Sequence, residues 1–97
     1  MGDYDTAMTA PRLVSGPEIQ YTPAALEREV EGLVLVRCVV TVEGAVRNCQ
    51  VVKGLPFMDE AVESALEQRR CAPATLAGRA VDVRYTFKVR LELPGAR

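Results

Sequence analysis

From Val81 to Leu93 the chain alternates without a break. Val81, Val83, Tyr85, Phe87, Val89, Leu91 and Leu93 share one parity, and Asp82, Arg84, Thr86, Lys88, Arg90 and Glu92 share the other. A period of two belongs to a strand with one buried and one wet face, and no helix satisfies it. At about 3.3 Å per residue the run spans roughly 43 Å. That is longer than any other strand the sequence offers, so part of it is expected to lack a partner within the monomer.

A strand of this length needs a sheet, and the preceding residues supply one. Leu33 to Val42 is β-branched and almost continuously apolar, as suits a central strand. Glu43-Gly44 marks a turn, and Ala45 to Lys53 returns as the second strand of an antiparallel hairpin. Two helices flank the hairpin. Thr22 and Pro23 open the first as N-cap and first helical residue, Ala25, Leu26 and Val30 share one face, and Gly32 is the expected stop. The second is expected over about Phe57–Arg70. Met58, Ala61, Val62, Ala65, Leu66 and Arg69 make its stripe, Asp59 and Glu60 lie in its first turn, Arg69 and Arg70 in its last, and Pro73 bars continuation.

The order is α-β-β-α-β. A helix between the second and third strands returns the third antiparallel to the first. The fold class is therefore α+β: a three-stranded antiparallel sheet of order 2-1-3 with both helices on one face. The third strand is an edge, and Arg84, Lys88 and Arg90 on its wet face discourage indiscriminate pairing. Residues 1–15 show no clean period and read as a flexible lead-in, residues 16–94 as the domain and 95–97 as a tail.

Composition removes whole classes of function. Twelve basic against thirteen acidic residues give net charge −1, which leaves no positive excess for nucleic acid. There is no Trp, with three Tyr and two Phe, so base-stacking platforms are not expected. The absence of His excludes Ser-His and Cys-His dyads and His-ligated zinc. Asp59 and Glu60 read as helix-dipole partners rather than an acid–base pair, so no enzyme, cofactor or metal is expected. No apolar run reaches the roughly 18 residues of a membrane span, which suits a cytosolic protein or a soluble portion of something longer.

The residues carry a family resemblance. Gly32-x-Val34-x-Val36-x-Cys38-x-Val40-Thr41-x-Glu43-Gly44-x-Val46 resembles the first hairpin of the TonB C-terminal domain family. Tyr21-Thr22-Pro23-Ala24 resembles its Tyr-Pro lead into helix one, and Met58-Asp59-x-Ala61-Val62-x-x-Ala65 its helix two. Gly78-Arg79-x-Val81 through Phe87-Lys88-Val89 resembles its last strand, so the match covers about residues 16 to 93. Arg69-x-Cys71 stands before Pro73 where the family has an aromatic pair, which weakens packing under the strand.

The resemblance implies a periplasmic domain of a Gram-negative energy transducer. In such a protein an N-terminal helix anchors the chain in the inner membrane beside ExbB and ExbD, and the expectation is that this anchor precedes the domain in a longer protein. The domain captures the TonB box, an N-terminal peptide of an outer-membrane transporter, and passes on proton-motive work. The implied chemistry is strand addition to an exposed edge. The expected partner-binding residues are Asp82, Val83, Arg84, Tyr85, Thr86, Phe87, Lys88 and Val89, with Glu18, Ile19 and Gln20 beside them. An edge-paired homodimer is a further expectation. The alternative is a periplasmic adaptor in an envelope-spanning or motility machine, built on the same fold.

Of the three cysteines, at least one is unpaired in a monomer. A two-residue turn at Glu43-Gly44 opposes Cys38 to Cys49, whereas a three-residue turn with a glycine bulge opposes Cys38 to Asn48. The apolar spacing of Val46, Cys49 and Val51 implies a further bulge near Arg47-Asn48 that returns Cys49 to the face of Cys38. A Cys38–Cys49 disulfide is expected in an oxidising periplasm, with Cys71 a buried free thiol. Three unpaired buried thiols and a Cys49–Cys71 bridge remain the alternatives.

Overall fold

The computed structural model describes residues 1–95. Of the expected 95–97 tail, residues 96 and 97 lie outside the described residues. The chain runs β1 (Gly2–Asp3), β2 (Met8–Thr9), β3 (Arg12–Ser15), α1 (Pro23–Glu27), β4 (Gly32–Val40), β5 (Val46–Lys53), α2 (Asp59–Glu67), β6 (Arg70–Ala72), β7 (Ala74–Leu76), β8 (Arg79–Val81) and β9 (Val83–Leu91). The main sheet is four-stranded, ordered β1-β9-β4-β5. The antiparallel trio β9-β4-β5 is the expected 2-1-3 arrangement, and the fourth strand comes from the segment read as a lead-in. Residues 8–9 and 12–15 also form short strands, against β7 and β6. Pairing with distant chain supplies the order that local periodicity does not show.

β4 is central because it pairs with β9 on one side and β5 on the other. Val34, Val36, Cys38 and Val40 are buried and join one core with Ala25 of α1, Val62 and Leu66 of α2, and Val83, Phe87 and Leu91 of β9. Both helices thus contribute to the same side of the sheet. Thr22 caps α1 by accepting the Ala25 amide at 3.2 Å, with Pro23 in the first turn. The helix ends at Glu27, before the expected stop at Gly32, because Glu29 already takes a left-handed conformation (φ 55°). α2 is shorter than the expected 57–70: Arg70 pairs in β6 instead of closing the last helical turn.

The long alternating run is divided. Asp82 separates β8 from β9, and its Oδ1 accepts the Val42 amide at 2.8 Å. β9 then pairs with β4 along its whole length, from Val83↔Val40 to Leu91↔Gly32. The expectation that part of the strand lacks any partner is thereby corrected. Among the described residues, what β9 lacks is a full partner on its other side.

The hairpin turn is the three-residue form. Thr41 N–H donates to the Ala45 carbonyl at 2.9 Å, and Gly44 sits at φ 84° as the bulge. A second bulge follows at Asn48 (φ 53°), where the register passes from Val39↔Arg47 to Arg37↔Gln50. Together they set Cys49 against Cys38. The two are joined by a disulfide with Cα atoms 4.1 Å apart, and Cys71 is free and buried.

Candidate functional site

A sheet with two edges offers two places for an added strand, and here they differ. On the β5 edge, α2 closes the ladder with its own carboxylates. Glu67 Oε2 accepts the Cys49 amide at 2.8 Å and Glu63 Oε2 accepts the Val51 amide at 2.9 Å. These positions lie four apart on α2, so both carboxylates reach the same strand. Two outward donors of β5 are thus satisfied inside the molecule.

The β9 edge is closed at its start. β1 runs parallel to it, with Gly2 opposite Val83 and Asp3 opposite Arg84. Tyr4 N–H donates to the Arg84 carbonyl at 2.9 Å, after which the chain leaves the edge in a turn at Asp5. The Arg84 carbonyl therefore faces outward. Backbone groups alternate in direction along a strand, so Thr86, Lys88 and Arg90 also direct N–H and C=O away from β4. Among the described residues, no strand pairs with that stretch.

This alternation sorts the sequence-expected residues. Arg84, Thr86 and Lys88 present backbone to the edge. Val83, Tyr85, Phe87 and Val89 instead turn their backbone to β4 and their side chains to the core, where Val83 and Phe87 are buried. Tyr85 also stacks edge-on with Tyr4 and Phe87, at centroid distances of 5.1 and 5.0 Å. Asp82 lies outside the strand and serves the hairpin turn. Glu18, Ile19 and Gln20 lie between β3 and α1; Ile19 packs on the core, and no strand pairing joins the three to β9 among the described residues. The expected set stops one alternation short and omits Arg90, although the period continues through it.

The face of the sheet opposite the helices is exposed beside this edge. Arg84, Thr86, Lys88 and Arg90 stand there next to Val39, Arg37, Leu35 and Leu33 of β4. Asp3 reaches Arg84 Nε at 2.7 Å, and the Arg84 guanidinium, helped by Arg37, holds the Asp3 carboxyl below the usual carboxylate range. Among the described residues no group of three or more His, Cys, Asp or Glu is placed to hold a metal. The arrangement is equipped to hold extended backbone.

A family model for the C-terminal region of the Gram-negative bacterial TonB protein matches residues 17–93. The chain belongs to the TonB C-terminal family. Membership implies a transport-associated periplasmic domain. The solution NMR structure of the TonB C-terminal domain from Pseudomonas aeruginosa is similar to it. The TM-score is 0.67 with 22% identity, over 100% of this chain and 97% of that one, so the two share a fold. No curated protein sequence matches this TonB C-terminal domain.

Proposed function

We propose that this TonB C-terminal domain captures the TonB box of an outer-membrane transporter by strand addition to β9. In a longer protein, work derived from the proton-motive force at ExbB and ExbD would reach the domain through an N-terminal anchor. The observation that carries the reading is the contrast between edges: α2 carboxylates take the Cys49 and Val51 amides of β5, while among the described residues no strand pairs with β9 at Thr86, Lys88 and Arg90. β1 supports it from within, because that edge already accepts an extended segment.

The physics suits a towing contact. Main-chain hydrogen bonds contribute about 1 kcal/mol each net and ask little of side chains, so one domain can serve several receptors. A peptide lying along β9 and pulled lengthwise loads its bonds in shear, and they must fail together.

The test is a titration of a transporter N-terminal peptide into isotope-labelled protein, followed by amide shifts. Shifts centred on residues 84–90 are expected; shifts confined to α2 would refute the proposal. Thr86→Pro removes one outward donor without touching a β4 bond, and should abolish binding while the β4–β5 amides keep their positions.

A further inference from the structure

The residues that direct backbone outward from β9 also direct side chains onto the helix-free face, because both alternate with the same period. That row reads Arg84, Thr86, Lys88, Arg90. Arg37 stands opposite Thr86 on β4, and Arg47 and Lys53 lie beyond on β5, opposite Val39 and Leu35. No acidic residue occupies this face within the three strands. Arg37, Arg47, Lys53, Lys88 and Arg90 form no ion pair among the described residues. The half-buried aliphatics Leu33 and Leu35 lie opposite Arg90 and Lys88 on the same face. An exposed concavity here is lined by Asp3, Arg37, Gln50, Arg84, Thr86 and Lys88.

β1 shows what this face does to an added strand. Asp3 is in register with Arg84 across the edge, and its carboxylate meets the Arg84 Nε at 2.7 Å. A strand continuing in that register would place its next same-face residues opposite Thr86, Lys88 and Arg90. The chain's own segment does not reach them, since it turns away at Asp5.

We infer that Arg84, Lys88 and Arg90, backed by Arg37, select an added strand that displaces β1 from the edge and carries acidic same-face residues at the positions opposite them. Numbering the residue opposite Arg84 as one, the preferred carboxylates fall at one, five and seven, with a neutral residue such as Thr at three, opposite Thr86. Side chains at alternate positions are about 7 Å apart, matching the spacing of the cationic row. The inference rests on the strand-addition reading and names the peptide chemistry that the edge prefers.

The experiment uses the 97-residue protein and three capped synthetic octapeptides. The first is Asp-Val-Thr-Val-Glu-Val-Glu-Val. The second replaces the acids with Asn and Gln. The third keeps the first composition with its three acids contiguous. At low salt the first should bind about tenfold more tightly than the second, and the advantage should shrink at about 0.5 M salt. Lys88→Glu/Arg90→Glu should erase the advantage of the first peptide over the second. Equal affinity of the first two peptides, both shifting the Thr86–Arg90 amides, would overturn the selectivity and leave strand addition standing. Equal affinity of the contiguous peptide would show unregistered attraction and overturn it too. If no peptide moves the β9 amides, strand addition falls and the selectivity with it.

Discussion

The Cys71 amide donates to the Gly44 carbonyl at 2.8 Å, which ties the tip of the β4–β5 hairpin to β6. Arg70 strengthens the tie by donating from Nη2 to the Glu43 carbonyl at 3.0 Å and by pairing with Ala45. Gly44 is buried at φ 84°, and a side chain there would run into the Cys71 carbonyl. Gly44→Ala should therefore cost about 2 kcal/mol or more, through both the left-handed backbone and the clash. Chemical denaturation checks this, and an unchanged midpoint would contradict the tie.

The Cys38–Cys49 bridge closes a separation of 11 residues. Loop-entropy reasoning puts its contribution at about 3 kcal/mol, as an upper figure. Protein from an oxidising compartment, alkylated without reductant and unfolded for mass analysis, should carry one label, on Cys71. Three labels would refute the bridge. In the native state even Cys71 should react slowly at neutral pH, because burial pushes its thiol pKa up and disfavours the thiolate.

Glu63→Ala combined with Glu67→Ala strips the outward donors of β5 of their internal acceptors. A loss of about 1–3 kcal/mol is expected if water replaces the carboxylates incompletely. The newly open edge should also favour self-association, read by sedimentation over a range of concentrations. The wild-type protein serves as the control for pairing through β9. A monomer at millimolar concentration would count against the edge-paired homodimer.

The docking of β1 should depend on acid. Arg84 lowers the Asp3 carboxyl pKa on folding, so the stabilisation is present above the ordinary carboxylate pKa and is lost as pH falls through the lowered value. Asp3 is exposed, so the global stability should scarcely register the change. The Tyr4 and Arg84 amide shifts should titrate together in that acid window. Asp3→Asn should remove the titration and weaken the protection of Tyr4 N–H. An unaltered Tyr4 amide would show that backbone pairing alone holds β1.

Much of the candidate edge is legible in the sequence. The parity of Val83 to Leu91 distinguishes buried from wet side chains, and the same parity tells which backbone groups point outward. The bulge that brings Cys49 to Cys38 is readable too, because the spacing of Val46, Cys49 and Val51 demands it. Glu18 to Gln20 show where such reading stops, since nothing local says which strand a loop lies against.

Sequence alone determined the β4–β5 hairpin, the two helices and the antiparallel place of β9, because side-chain period, turn residues and a capping Thr-Pro act over a few residues at a time. Tertiary structure decided the rest. Gly2 and Asp3 become a strand only because Val83 and Arg84 offer them a ladder. Arg70 leaves the helix for β6 because β3 and the hairpin tip lie beside it. Glu63 and Glu67 look like solvent-facing helix residues until β5 presents its amides to them. A backbone donor or acceptor takes whichever partner the folded chain brings near, and that proximity is not written in any one segment.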